Sequence, residues 1–261
     1  MGILNVTPDS FSDGGQFWNP AMAVDRAKEM EDQGADIIDI GGESSRPGST
    51  AISESEELQR VVPVVEALAQ KLSIPISVDT YRSEVAKKVI ADGAQIINDI
   101  SGFRFDAAMP QVVCRSGAGV VLMHSRGERE NLHRQPPMPD PVGTVCSDLA
   151  KIAQETIDAG IQPGAVVLDP GIGFGKSAEE SMMLLRNLAA VSQLEYPLLV
   201  GTSRKSFLRR IESKGAREEA VDRLWGTAAS VAGAVFRGAH IVRVHDVAEM
   251  RRLVDVLDAL Q

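Results

Sequence analysis

One sequence motif recurs five times along the chain and constrains its fold more than any other feature. A Gly-Ala pair leads into a short run rich in β-branched residues, which ends on Asp, Asn or His and then a loop. The copies begin at Gly34, Gly93, Gly117, Gly164 and Gly238. Such uninterrupted apolar runs suit strands buried on both faces of a parallel sheet, and each glycine suits the left-handed residue that closes a preceding helix.

Three further apolar runs, at residues 2–6, 74–80 and 196–203, bring the predicted strands to eight. Between the strands, apolar residues recur at helical spacing in residues 21–33, 54–72, 82–92, 107–116, 142–159, 179–190, 221–237 and 247–260. Alternating strands and helices over 261 residues predict an α/β protein with one domain, residues 1–261, folded as a single (β/α)₈ TIM barrel.

An open doubly wound sheet is the alternative architecture, and it usually carries G-x-G-x-x-G after the first strand. That pattern is missing from the first strand-loop junction. Residues 171–177, GIGFGKS, end like a phosphate-binding P-loop, but Pro170 stands where the first glycine of that motif belongs. The sequence therefore favours the barrel.

Composition and charge exclude several classes of function. The formal net charge of -9 argues against nucleic-acid binding, which calls for a basic surface. No apolar run approaches the roughly 18 residues of a membrane span, and the first residues lack the pattern of a secretory signal. Cys114 and Cys146 lack zinc-ligand spacing and are expected to be reduced thiols, which predicts a cytoplasmic protein.

Polar residues mark the carboxyl ends of the predicted strands, where the active sites of barrels lie. A lone Asp or Asn after a strand is more often a helix cap, and a lone His more often a satisfied loop residue. Asp39 and Asp99 stay open as caps or as supports for other residues. The joint pattern nevertheless predicts one pocket from Asn5, Asp39, Asp79, Asn98, Asp99, Met123, His124, Asp169, Ser203, Lys205, Arg243 and His245.

The chemistry of these residues divides into two halves. Asp79, Asn98 and Asp169 offer acceptors and an amide that suit a flat heterocycle bearing N–H and NH₂ groups. Asn5, Arg243, His245 and the loop at residues 44–46 supply an oxygen ligand, cations and hydroxyls, which suit a phosphate. No nucleophile elbow, CxxC or HExxH occurs. A nitrogen heterocycle carrying a phosphate or diphosphate is the predicted ligand.

Seven segments, in this order, resemble the dihydropteroate synthase family along essentially the whole chain: MGILNVTPDSFSDGG, IIDIGGESSRPG, SVDT, INDISG, VVLDPGIGFGK, GTSRKSF and IVRVHDV. The resemblance implies that 6-hydroxymethyl-7,8-dihydropterin diphosphate is joined to 4-aminobenzoate, giving 7,8-dihydropteroate and diphosphate in folate biosynthesis. It also implies a Mg²⁺ cofactor and a homodimer.

The resemblance assigns roles residue by residue. Asp79, Asn98, Met123, Asp169 and Lys205 would bind the pterin. Asn5 would ligate Mg²⁺, and Asn5, Ser45, Arg243 and His245 would bind the diphosphate. Ser45, Arg46, Pro47, Phe174 and Ser203 would form the aminobenzoate pocket. Lys205, Arg243 and His245 would be the catalytic groups. Ser45 stands where the family usually has Thr, so looser packing of aminobenzoate is expected.

Displacement at the exocyclic CH₂ is the expected mechanism, with bond breaking to diphosphate ahead of attack by the weak aniline nucleophile. Residues 7–18 and 44–53 are long polar loops and are expected to act as lids. The residues argue against two alternatives. A pterin-dependent methyltransferase would keep Asp79, Asn98 and Asp169 but has no need of a diphosphate site. A non-catalytic pterin-binding relative has no use for a leaving-group site either.

Overall fold

A computed structural model describes residues 1–7, 20–45, 48–208 and 223–260. In these ranges the chain forms eight short strands: β1 (Gly2–Asn5), β2 (Ile38–Gly41), β3 (Ile76–Asp79), β4 (Ile96–Asp99), β5 (Gly119–Met123), β6 (Val166–Asp169), β7 (Leu199–Val200) and β8 (Ile241–Val242). All eight fall within the runs predicted from the sequence. Burial explains the apolar character of β1 to β7, in which nearly all residues are buried, whereas both residues of β8 are half-buried.

Nine α-helices are described: α1 (Pro20–Asp32), α2 (Glu54–Ala69), α3 (Ser83–Ala91), α4 (Met109–Ser116), α5 (Pro141–Asp158), α6 (Ala178–Arg186), α7 (Leu188–Ser192), α8 (Leu224–Val235) and α9 (Val247–Asp258). Ser53 caps α2 by accepting from the Glu56 amide, and Ser177 and Glu180 form a capping box on α6. Among the described residues, no helix combines the length and apolar composition that crossing a bilayer requires.

The strands close into a ring although their hydrogen bonds form two sheets. β1 to β6 pair in chain order, and β7 pairs with β8. Isolated parallel bridges join Leu168 to Leu198 and Gly2 to Val244. At the second seam, the Ile3 amide donates to the Val244 carbonyl at 2.9 Å, and the Val244 amide donates to the Met1 carbonyl at 3.0 Å. The predicted (β/α)₈ barrel is confirmed.

Strand register places the predicted polar residues at one end of the ring. Asn5 pairs with Gly41, Gly41 with Asp79, and Asp79 with Asn98. On the far side, Met123 of β5 pairs with Asp169 of β6. Because all strands run in parallel, the side chains at their carboxyl ends face a common bowl.

In four of the five Gly-Ala motifs the glycine has the predicted left-handed conformation. Positive φ angles occur at Gly34 (92°), Gly93 (117°), Gly117 (69°) and Gly238 (94°). The prediction is wrong for Gly164, which lies in a 3₁₀ turn at Pro163–Ala165. Gly160, with φ of 94°, takes the left-handed position nearer the end of α5 instead.

A second correction concerns the single helix predicted over residues 179–190, which the structure divides into α6 and α7. Asn187 separates the two helices, and its side-chain amide donates to the Met183 carbonyl at 2.9 Å. Asparagine competes with the helical ladder in this way because its short side chain reaches nearby backbone groups.

Gly93 and Gly164 provide a matched test of these backbone positions. A β-carbon on Gly93 would lie 2.6 Å from Cβ of Ala69 at φ of +117°, whereas nothing lies within 4 Å of one on Gly164. We expect Gly93→Ala to lower the free energy of unfolding by about 2–4 kcal/mol and Gly164→Ala to change it by less than about 1 kcal/mol. Urea unfolding monitored by circular dichroism measures both, and equal losses would contradict this account.

Candidate active site

A cavity opens at the carboxyl ends of the strands. It is lined by eight of the twelve residues predicted there from the strand ends, and by Phe174, which the family resemblance assigned to the site. Ile3, Ile100 and Ile172 contribute apolar surface to it. The nine predicted residues on its walls are Asp79, Asn98, Met123, Asp169, Phe174, Ser203, Lys205, Arg243 and His245. They come from the ends of six different strands, β3 to β8, which only the barrel brings together.

Asp39 is a fully buried carboxylate that three other elements contact. Ser77 Oγ of β3 donates to it at 2.6 Å, and Asn98 Nδ2 of β4 donates at 3.0 Å. Arg243 Nε, which follows β8, donates at 2.6 Å. These contacts favour a supporting role over the helix-cap interpretation that the sequence left open.

Arg243 joins Asp39 to Asp79. Its Nη2 donates to Asp79 Oδ2 at 2.9 Å while its Nε is held by Asp39. Burial raises the pKa of Asp79 to about 7, against the attraction of Arg243 and with a further contribution from the charge of Asp39. Asp79 therefore faces the cavity as a strong acceptor whose protonation changes near neutral pH.

Asn98 is oriented by the same network. Because its amide nitrogen donates to Asp39, the amide oxygen is the group that can accept a hydrogen bond from a ligand. Asp79 and Asn98 thus present adjacent acceptors on neighbouring strands, which suits the edge of a heterocycle rich in N–H groups.

Asp169 and Lys205 form the opposite wall. Asp169 Oδ1 accepts from the Gly171 amide at 2.7 Å, and burial raises the pKa of the carboxyl group. Lys205 Nζ donates to the Ile172 carbonyl at 2.9 Å and lies 4.0 Å from the centre of the Phe174 ring. Burial lowers the pKa of Lys205 to about 8, although Asp169 opposes this, so the amine is charged at pH 7.

Met123 provides the apolar side of the cavity. It clusters with Ile100 and Leu132, and Phe174 packs against this cluster. A flat ring that reached the acceptors of Asp79 and Asn98 would have this surface available for packing.

Ser203 and His245 contact each other at the mouth of the ring. Ser203 Oγ lies 3.0 Å from His245 Nδ1 and accepts from the His245 amide at 3.2 Å. With Nδ1 accepting from the hydroxyl, Nε2 would carry the proton and could donate to an anion.

Asn5 and Ser45 do not line the cavity. Asn5 and Asp79 flank Gly41, which pairs with both of them. A β-carbon placed on Gly41 would be 3.7 Å from Asn5 Oδ1 and 3.9 Å from Asp79 Oδ2, so both side chains reach the space above this glycine. The Ser45 carbonyl lies 2.8 Å from His133 Nε2. Arg46 and Pro47, and the loop over residues 8–19, lie outside the described residues.

Asp99 and His124 also follow strands but serve local structure. Asp99 accepts from the amides of Ser101 and Phe103. His124 Nε2 lies 3.1 Å from Asp148 Oδ2 of α5, and burial lowers the pKa of the imidazole to about 3. Neither residue lines the cavity.

Lys176 is a residue whose role the sequence interpretation missed. Its buried amine donates to the carbonyls of His124, Gly171 and Phe174 at 2.9–3.0 Å. Lys176, the lysine of GIGFGKS, thus holds the loop after Asp169 in place. A P-loop lysine would bind phosphate instead, so these contacts agree with the conclusion that the segment is not a P-loop. The position of Lys176 two residues after Phe174 was visible in the sequence, but its carbonyl partners were not.

In the described parts of the chain, no three His, Cys, Asp or Glu side chains are grouped so as to hold a metal ion. A hard cation held mainly by substrate phosphates needs few protein ligands, and the amide oxygen of Asn5 beside Asp79 fits such a role. The donor set is therefore compatible with Mg²⁺ accompanying a diphosphate.

Comparison with known proteins agrees with this geometry. The sequence profile of the family described as pterin binding enzyme matches residues 1–245. The chain is 45% identical over 260 residues to dihydropteroate synthase of Synechocystis sp., covering 100% of this chain and 89% of the relative.

Two solved structures share the fold. Xanthomonas albilineans dihydropteroate synthase with 4-aminobenzoic acid matches with a TM-score of 0.91 and 39% identity, covering 100% of this chain and 92% of that one. The same enzyme in complex with 7,8-dihydropteroate matches with a TM-score of 0.88 and 37% identity, at the same coverage.

Asp39 and Ser77 test the importance of the buried charge. We expect Asp39→Asn to lower the free energy of unfolding by about 3–5 kcal/mol, because Arg243 loses a buried anionic partner. Ser77→Ala removes one neutral hydrogen bond to the same carboxylate and should cost about 1 kcal/mol. Chemical denaturation at pH 7 measures the pair. A loss no larger for Asp39→Asn than for Ser77→Ala would contradict a central role for this ion pair.

Proposed function

Because the chain belongs to the family of pterin-binding enzymes, among the dihydropteroate synthases, we propose that it joins 6-hydroxymethyl-7,8-dihydropterin diphosphate to 4-aminobenzoate. The products are 7,8-dihydropteroate and diphosphate, and the pathway is folate biosynthesis. The observation that carries this proposal is the cavity whose acceptors, cations and apolar wall match a charged pterin ester.

The pterin half of the substrate is assigned to Asp79, Asn98, Met123, Asp169 and Lys205. The three acceptors would receive its N–H and NH₂ groups, and a ligand lacking those donors would leave buried polar groups unpaired. Met123 would pack against the ring. The protonated amine of Lys205 would donate to an acceptor atom of the pterin.

The diphosphate half is assigned to Asn5, Ser45, Arg243 and His245. Arg243 uses Nε and Nη2 on two carboxylates, and within the described ranges its Nη1 has no hydrogen-bond partner, so this nitrogen can reach an anion. His245 would donate from Nε2. Asn5 would hold Mg²⁺ through its amide oxygen, and the ion, when bound, would supply stabilisation of negative charge on the leaving diphosphate.

The chemical step we propose breaks the CH₂–O bond to diphosphate and forms a CH₂–N bond to the amine of 4-aminobenzoate, which releases one proton. Arg243 and His245 would stabilise the charge that develops on the leaving group. Asp79 and Asp169 would favour the electron-rich pterin that supports positive charge at CH₂. The aminobenzoate pocket is assigned to Ser45, Arg46, Pro47, Phe174 and Ser203.

A homodimer and a cytoplasmic location are further parts of the proposal. Trp225 on α8, Phe236 directly after α8 and Met183 on the neighbouring α6 are exposed large apolar side chains, which favour association with a second copy. Cys114 and Cys146 are free thiols, as expected in a reducing compartment.

Diphosphate release by the purified protein tests the function directly. With Mg²⁺ and the pterin diphosphate, we expect release to depend on 4-aminobenzoate and to yield dihydropteroate, and we expect Lys205→Ala to abolish it. Tight pterin binding without turnover would instead identify a non-catalytic pterin-binding protein. Full activity of Lys205→Ala would contradict the site assignment.

Lys205 should also set the alkaline limit of catalysis. Its pKa of about 8 lies below the ordinary value because of burial, so the amine is charged at pH 7 and loses its proton as pH rises through 8. We expect kcat/KM for the pterin diphosphate to fall above pH 8, and Lys205→Met to show a low value without this fall. An unchanged alkaline fall in Lys205→Met would assign it to another group.

A further inference from the structure

Glu43 is a nearly buried carboxylate that follows β2 and lies at the start of the loop carrying Ser45. Its side chain is 6% exposed. Arg82 Nη2 lies 2.9 Å from Oε2, and the Tyr81 hydroxyl donates to both oxygens at 3.0–3.1 Å. Arg129 Nε donates to Oε1 at 2.7 Å. Two cations and a phenol therefore share one carboxylate.

Arg129 comes from a different part of the chain, the segment between β5 and α5, and its contacts extend beyond Glu43. Its Nη2 donates to the Ser44 carbonyl at 3.0 Å and to Ser49 Oγ at 3.3 Å. Ser49 Oγ in turn donates to the Ser44 carbonyl at 2.5 Å. One guanidinium thus contacts both sides of the loop that follows β2.

His133, on the same segment as Arg129, continues these contacts toward the cavity. Its Nε2 lies 2.8 Å from the Ser45 carbonyl, so that nitrogen donates. Its ring lies 5.7 Å from the ring of Phe174, centre to centre. Phe174 lines the cavity. The segment between β5 and α5 therefore connects the Ser44–Ser45 backbone to the cavity wall.

We infer that Arg129 is a positioning residue for the aminobenzoate half of the site. It fixes the Ser44 carbonyl against Glu43, while His133 of the same segment holds the Ser45 carbonyl and lies beside Phe174 of the cavity wall. The contacts of Asp79, Asn98 and Asp169 do not involve Arg129, so the pterin half is independent of it. This inference rests on the function proposed above.

Loss of Arg129 leaves a foldable protein. Glu43 keeps Arg82 and Tyr81 as partners, so its buried carboxylate stays paired. Arg134, five residues further along the same segment, is exposed, and its guanidinium makes no ion pair with any residue that the structure describes. Arg129→Met and Arg134→Met thus remove the same charge from the same segment, but only the first removes contacts to the loop after β2.

The first readout is steady-state kinetics with each substrate varied separately. For Arg129→Met we expect KM for 4-aminobenzoate to rise about tenfold, as the loss of charge-assisted hydrogen bonds predicts. The dissociation constant of the pterin diphosphate should stay within about twofold of the wild-type value. Arg134→Met should leave both quantities unchanged.

The second readout is amide hydrogen exchange in the absence of substrates. Exchange at residues 43–45 and 48–52 should be faster in Arg129→Met than in wild type and unchanged in Arg134→Met. Equal exchange and equal KM for 4-aminobenzoate in the two variants would overturn the inference. It would also be overturned if Arg129→Met weakened binding of the pterin diphosphate as much as it raised KM for 4-aminobenzoate. If the wild-type protein makes no dihydropteroate, the proposed function fails, while the exchange experiment still tests whether Arg129 holds the loop.

Discussion

The ion pair between Arg243 and the fully buried Asp39 links the barrel to its active site. A buried carboxylate is costly unless it is paired and hydrogen-bonded, and Asp39 receives Ser77, Asn98 and Arg243 from three different strands or strand ends. Arg243 follows β8 directly, next to the seam where Val244 bonds to β1. Closing the ring therefore brings the cation to the carboxylates. Stability of the barrel and orientation of the Asp79 and Asn98 acceptors depend on one network.

Charged groups also position the loops around the cavity. The amine of Lys176 donates to three carbonyls around the Asp169 wall, and the guanidinium of Arg129 donates to Glu43 and to the Ser44 carbonyl. Short polar loops bury little apolar surface, so side-chain contacts of this kind can replace a hydrophobic core in holding them. The loops thereby keep polar sequences that suit contact with an anionic substrate.

Much of the fold and of the site could be predicted from the sequence because both depend on local pattern. Apolar runs indicated every strand in the described residues. Eight of the twelve residues predicted at the strand ends line the cavity, whereas Asn5, Asp39, Asp99 and His124 do not. The prediction failed at Gly164 and in the helix divided at Asn187, where a nearby glycine and an asparagine side chain took over the local geometry. The segment between β5 and α5 had no functional interpretation, since its partners Glu43 and Ser45 lie more than 80 residues away in sequence.

The sequence by itself determined the eight strands, their parallel arrangement and the residue types at their ends, because periodicity and chain connectivity are local properties. Tertiary structure alone decided which of those residues share a partner. Only the tertiary structure shows that Asp39 pairs with Arg243 rather than capping a helix. It also shows that His124 contacts Asp148 of α5 and that Arg129 holds the loop carrying Ser45. The physical reason is that hydrogen bonds and ion pairs act over about 3 Å. Their partners are chosen by closure of the ring, not by separation along the chain.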